Sequence, residues 1–365
     1  MKIILYIGHH KVGSTALQIF LSQNWLALAQ AGILYPSVES SGFSHNLASA
    51  LQQDAPEPDM NTREPHSALA YQMISKVTKR NVPSQFKRLP AVGQMMRAMR
   101  KQVEILKPHT VVLCSEVFTN FGQVDPNLIP QLFAAFPDSE VEIYCALRRV
   151  DEYLVSWHGQ RLKVGEQLNP LDAGGMAGYY HTIHFDFRTV VEAWNDRLPD
   201  ARLIIRPYDE ILKAGGSIDD FMAQVSVDFP ADLAPVGRAN KSLPYAAMEI
   251  VRKANHDLPK NLSHALSQYF LTGGTAPEPV PNKQIEMFGA ALRQELVERF
   301  APIHDYLSNL TGQPAFFADI DDMARERPIP YSEANRTLLT GIDPATLPDA
   351  ALRGYIDSLL HDPAT

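Results

Sequence analysis

Two cysteines, Cys114 and Cys145, are all that this 365-residue chain contains, and each sits inside an apolar, strand-like run. A disulfide scaffold and a cysteine-rich zinc site are therefore excluded, and two buried thiols are expected. Long apolar runs are missing too: none approaches the roughly 20 residues that a spanning helix requires, so no membrane span is expected. Cationic excess is absent as well, since 33 Lys and Arg face 41 Asp and Glu for a net charge of -8. That balance argues against nonspecific nucleic-acid binding, which depends on a cationic surface that neutralises phosphates. Met1 leads into a short strand-like run without the longer apolar region and cleavage site of a secretory leader, and the expected location is the cytoplasm.

What is present is a globular composition, 45% hydrophobic and 20% charged, in a chain long enough to bury a large core. Its first segments are the most informative. The apolar run Lys2 to Ile7 predicts a strand, Gly8 to Thr15 a glycine loop, and Ser14 to Ala31 a helix with Leu17, Phe20, Leu21 and Leu28 at helical spacing. Strand, loop and helix in that order make a phosphate site, because the helix amino end offers unpaired N–H groups and a partial positive charge. A Walker A loop reads G-x-x-x-x-G-K-[ST]. With Gly8 and Gly13 as its glycines, Ser14 occupies the lysine position and the loop's lysine is Lys11. The pattern keeps a phosphate cradle and moves the ammonium elsewhere along the ligand, which points to a phosphate-bearing donor other than ATP.

Further strands are predicted at Thr110 to Val117, Glu140 to Leu147 and Ala201 to Arg206, with helices from Val150 to Lys163 and around Phe187 to Arg197. This alternation predicts an α/β fold, a P-loop-like three-layer α/β/α core with a mostly parallel central sheet. Residues 37–108 read as less regular, with a Pro-rich loop or lid at Asp54 to Pro65, and from about residue 246 the pattern is a mainly helical extension. The expected organisation is a core over 1–245 and an extension over 246–365. Between Arg63 and Lys107, ten Lys or Arg stand against two acids, a solvated helix face or a surface for an anionic acceptor.

A second anion site is suggested by Arg148, at the end of a predicted strand, and Ser156, eight residues later on the following helix. Arginine presents a fork of donors that matches phosphate oxygens, and a serine hydroxyl adds another. With both elements in view, the chain resembles sulfotransferases that use 3'-phosphoadenosine 5'-phosphosulfate (PAPS), in their bacterial, carbohydrate-type branch. His10-Lys11-Val12-Gly13-Ser14-Thr15 is similar to that family's phosphosulfate loop, with His10 in place of the usual proline and Val12 in place of Ser or Thr. The resemblance implies that Arg148 and Ser156 hold the 3'-phosphate, that Tyr208 lies near the adenine, and that Arg238, in a late basic loop reaching Leu243, approaches the 3'-phosphate. It covers roughly residues 1–245.

The implied reaction is in-line transfer of the sulfonate to an acceptor hydroxyl or amine of a carbohydrate or bacterial metabolite. Lys11 would stabilise the charge gathering on the leaving oxygen, and no metal is required. Glu116 is the first candidate for the base that takes the acceptor's proton, with His45 and the loop histidines His9 and His10 as alternatives. His181 and His184 have a spacing seen in metal sites but no evident third ligand, and a structural role is expected. Competing readings are a P-loop nucleotide or metabolite kinase, disfavoured by Ser14 at the Walker lysine position, and a PAPS-binding protein without turnover.

Overall fold

The structure, a computed structural model, describes residues 1–51, 57–237, 242–272, 276–277 and 279–361. Arg238 and most of its basic loop lie outside the described residues, as does part of the 54–65 patch. In chain order, β1 (Lys2–Tyr6) is followed by α1 (Ser14–Gln23), α2 (Trp25–Gln30) and β2 (Ile33–Leu34). Four helices, α3 (Ser40–Ala50), α4 (Met60–Arg63), α5 (Pro65–Thr78) and α6 (Val92–Leu106), lead to β3 (Thr110–Cys114). Then α7 (Phe121–Val124) and α8 (Leu128–Phe133) lead to β4 (Glu140–Leu147). After it come α9 (Val150–Lys163), α10 (Arg188–Arg197), β5 (Arg202–Pro207), α11 (Tyr208–Lys213) and α12 (Ser217–Gln224).

The strands form a five-stranded sheet in the order β2-β3-β1-β4-β5, with every neighbouring pair parallel. Ile3, Ile4, Leu5 and Tyr6 of β1 and Val111 to Cys114 of β3 have no exposed surface. Successive strand side chains point to opposite faces, so burial of both sets requires cover on both sides of the sheet. The expected α/β core with a parallel central sheet is thus what the structure shows.

Several boundaries differ from expectation for local reasons. The predicted helix over 14–31 breaks at Asn24, whose side chain is engaged with Ala234, accepting from its N–H at 2.7 Å and donating to its carbonyl at 3.0 Å. The strand expected to run to Val117 stops at Cys114, because the Ser115 hydroxyl accepts from Val117 N–H and starts a short 3-10 turn at Glu116. Residues 37–108 are more regular than their composition suggests. There α3 is built largely from Ser, Ala, Gly and Asn, weak signals singly, while α6 buries Met95, Met99 and Gln102 along one face.

The chain divides into two compact units: Met1–Arg148 with Asp186–Ala239, and Arg149–Phe185 with Asn240–Thr365. The sequence suggested one boundary near residue 245; in the structure residues 149–185 group with the carboxyl-terminal part. Within the second unit, α13 (Met248–Asp257), α14 (Lys260–Thr272), β6 (Ile285–Glu286), α15 (Ala290–Thr311), β7 (Ile329–Pro330), α16 (Tyr331–Thr340) and α17 (Ala350–Leu360) make the mainly helical region expected, with β6 and β7 as a short parallel pair. Its interior holds an ionic network. Arg149 binds Asp151 at 2.7 Å and Asp319, and Arg293 binds Glu286 at 2.8 Å. His184 is stacked on Trp157 and bonds the Tyr153 hydroxyl at 2.8 Å.

Candidate functional site

The first unit brings the chain segments that leave β3, β1, β4 and β5 to one edge of the sheet. Parallel register aligns Tyr6 with both Cys114 and Tyr144, and Leu147 with Pro207. Glu116, the 8–15 loop, Arg148 and Tyr208 therefore all follow carboxyl ends of strands. β1 sits where the strand order reverses, with β3 on one side and β4 on the other, and ligands in open α/β sheets bind at such switch points.

The loop is held by its own backbone: Ile7 N–H donates to Tyr144 carbonyl and His9 N–H to Ala146 carbonyl, both at 2.9 Å. Gly8 is required by close approach, since a Cβ there would lie 2.6 Å from the Tyr6 hydroxyl and 2.9 Å from Ala146 Cβ. Val12 is fully buried and anchors the turn, and His9 is buried edge-on to the Phe187 ring. Lys11 has φ 63° and Gly13 has φ 91°. A lysine at positive φ carries roughly 1–2 kcal/mol of backbone strain.

Gly13 caps α1 without any side chain, and no acid lies in the helix's first turn. The amino-terminal N–H groups of the helix thus have no side-chain cap. Ser14 is nearly buried beside them and Thr15 is half-buried. The Ser217 hydroxyl donates to Gly13 carbonyl at 3.0 Å, and a Cβ at Gly13 would stand 2.6 Å from that oxygen. Gly13→Ala is therefore expected to cost about 2 kcal/mol in a denaturation midpoint experiment, combining left-handed strain with loss of the Ser217 contact. A neutral substitution would mean that the loop is not held as described.

Glu116 faces this loop. Its Oε2 accepts from Gln18 Nε2 at 3.1 Å, and its Oε1 lies 3.7 Å from His10 Nδ1. Burial holds the His10 imidazole below its ordinary value; Glu116 opposes this and Lys11 reinforces it. Gln18 also approaches Ser67 Oγ at 3.4 Å, and Ser67 bonds Ser115 at 2.9 Å, tying α1, α5 and the Glu116 turn together. Nearby, His66 accepts from Cys114 N–H through Nδ1 at 3.1 Å and so donates from Nε2 to Pro36 carbonyl, also at 3.1 Å. Burial lowers its pKa to about 3, so the ring stays neutral.

A second carboxylate, not singled out in the sequence, belongs to this region. Glu64 precedes α5, and burial raises it to about 7, with the Glu116 charge adding and Arg63 opposing. Between pH about 4.5 and 7 the unfolded chain releases this proton while the folded chain keeps it, so folding loses stability as pH rises through that window. Glu64→Gln removes the loss. The variant is expected to be more stable than the wild type by up to about 3 kcal/mol at pH 8, and no different below pH 4. A stability gap independent of pH would contradict the assignment.

On the other side of β1, the Arg148 guanidinium lies over the Tyr208 ring, 5.4 Å from its centre. Of the other expected residues, Ser156 is on α9 in the second unit and only 7% exposed. His45 lines a cavity along the carboxyl half of α1 in which no residue of the 8–15 loop takes part. Ser217, Gln18 and Glu64 were not anticipated. Among them only Gln18 carried a local signal, one helical turn beyond Ser14.

No family model matches the chain. It is 29% identical over 123 residues to an uncharacterized protein of Archaeoglobus fulgidus, a match that spans 33% of this chain and 32% of that protein. The chain thus covers about a third of the length of that relative. Among solved structures it is similar to a sulfotransferase from Alicyclobacillus acidocaldarius, at 14% identity and a TM-score of 0.31, over 86% of this chain and 96% of that one. No helix among the described residues is long and apolar enough to cross a membrane.

Proposed function

We propose that the chain is a PAPS-dependent sulfotransferase that moves a sulfonate group to an acceptor hydroxyl or amine, that of a carbohydrate or small metabolite. The observation that carries the reading is the uncapped amino end of α1 beside a lysine held at φ 63°, where a Walker loop would have its lysine at position 14. The residues present fit the donor. The 8–15 loop with Lys11, Gly13, Ser14 and Thr15 suits a 5'-phosphosulfate, and Arg148, braced on Tyr208, suits the 3'-phosphate at the neighbouring strand end. When bound, the donor supplies an activated sulfonate with a phosphate leaving group.

Lys11 is then the group that meets the negative charge appearing on the departing oxygen, an interaction stronger in the transition state than before it. Glu116, oriented by Gln18, accepts the proton of the attacking hydroxyl. Arg148→Ala is expected to weaken donor binding ten- to a hundredfold with a smaller effect on turnover at saturation. Unchanged affinity would remove Arg148 from the site.

Thermal melting tests the reading against its nearest rival, a kinase using magnesium and ATP. A ligand that binds only the folded state raises the melting temperature by mass action. PAPS and adenosine 3',5'-bisphosphate should both do so and magnesium-ATP should not. The reverse pattern would favour the kinase. Stabilisation by PAPS with no transfer to any acceptor would leave a binding protein without turnover.

A further inference from the structure

Ser217 reaches the 8–15 loop from a helix that is itself fixed to the sheet. Asp220, in the first turn of α12, has no exposed surface. Its Oδ2 accepts from the Tyr144 hydroxyl at 2.5 Å and from Arg206 Nε at 3.1 Å, and its Oδ1 from Arg206 Nη2 at 2.8 Å. Tyr144 belongs to β4 and Arg206 to β5, so α12 is tied to both strands. Phe221, fully buried, packs edge-on against the Tyr144 ring with 5.4 Å between centres. The chain enters α12 through Gly216 at φ 114° and ψ -176°, a backbone conformation essentially confined to glycine. That turn sets Ser217 at the first position of the helix, beside Gly13.

The bond Ser217 makes decides which way a peptide group faces. The Gly13 carbonyl accepts from Leu17 N–H at 3.3 Å and from the Ser217 hydroxyl at 3.0 Å, so the hydroxyl is the closer partner. Across a planar trans peptide the carbonyl and the N–H that follows it point in opposite directions. Holding the Gly13 carbonyl along α1 therefore holds the Ser14 N–H out of the helix's amino end. Without the hydroxyl only the longer helical bond opposes rotation of that peptide, and glycine resists such rotation least.

We infer that Ser217 is a positioning residue for the donor, which aims the Ser14 N–H at the oxygens of the group bound at the amino end of α1. The inference rests on the sulfotransferase reading, in which that group is the 5'-phosphosulfate. Ser217 need not touch the ligand; it sets the direction of an amide that does. An amide already aimed costs no ordering when the ligand arrives, whereas a mobile one must be ordered at binding. The phosphate oxygens carry charge before transfer as well as during it, so the effect falls on donor binding more than on turnover.

The test compares the wild type, Ser217→Ala and Ser217→Thr, with calorimetry for binding and initial rates for transfer. Adenosine 3',5'-bisphosphate carries a 5'-phosphate for the loop, and adenosine 3'-monophosphate does not. Ser217→Ala should bind the bisphosphate about three- to tenfold more weakly, the size of one lost hydrogen bond, and the 3'-monophosphate as the wild type does. Its KM for PAPS should rise by the same factor while kcat stays within about twofold, and Ser217→Thr, which keeps the hydroxyl, should restore the wild-type values. All measurements are made well below the melting temperature of each variant, where a merely structural role would leave affinity unchanged. Unchanged affinity for the bisphosphate in Ser217→Ala, an equal loss for both nucleotides, or no recovery in a Ser217→Thr that melts as the wild type does would overturn the inference and leave the sulfotransferase reading in place. A wild type that binds neither PAPS nor the bisphosphate would overturn that reading, and the inference with it.

Discussion

Replacing Lys11 by alanine is expected to lower turnover a hundred- to a thousandfold while leaving donor affinity within a few fold of the wild type. The magnitude is that of removing one preorganised donor from a developing negative charge. The asymmetry follows because the ammonium acts most strongly on an oxygen that is only partly charged before bond cleavage. The backbone supplies a control: with φ 63° at this position, glycine is the residue that fits best. Lys11→Gly should lose the same activity and yet be more stable than Lys11→Ala by about 1 kcal/mol, since only the alanine retains the left-handed strain. Wild-type turnover in either variant, measured under single-turnover conditions with saturating donor, would remove Lys11 from the chemistry.

Glu116→Gln should lower turnover a hundred- to ten-thousandfold, the usual contribution of a positioned base. The substitution preserves shape, and its amide oxygen can still accept from Gln18 Nε2, so the 3.1 Å contact that now orients the carboxylate survives. What it lacks is a site for the acceptor's proton. His10, 3.7 Å from Glu116, is the group nearest at hand to substitute for it. Near-normal activity in Glu116→Gln that vanished in the double variant with His10→Asn would transfer the role to His10. Near-normal activity in both would move the base elsewhere in the site.

The strand, turn and helix around the 8–15 loop were legible in the sequence because they are contiguous. Strand, glycine turn and helix follow one another within the first thirty residues, and Gly8 and Gly13 stand where a side chain would collide or strain the turn. The placement of Arg148 and Tyr208 was legible for a related reason, each directly following a strand whose apolar run announces its end. Glu64 was not, because nothing local distinguishes it from any acid before a proline; its raised pKa comes from burial and from Glu116, far away in the chain. The same holds for Ser217, which reaches Gly13 from α12. β2 is two residues long and owes its identity to pairing with β3, so no periodicity could have revealed it. His45 read as a base because a histidine in an irregular loop suits proton transfer, whereas it lies on a helix and lines the cavity.

The most direct measurement follows the sulfur itself. Sulfur-labelled PAPS is incubated with the wild type, Lys11→Ala and Glu116→Gln in the presence of hydroxyl- and amine-bearing saccharides and small metabolites. The account predicts label in an acceptor with the wild type and a loss of at least a hundredfold in both variants. Label that stays on the donor with every acceptor, while labelled γ-phosphate passes from magnesium-ATP to one of them, would contradict it.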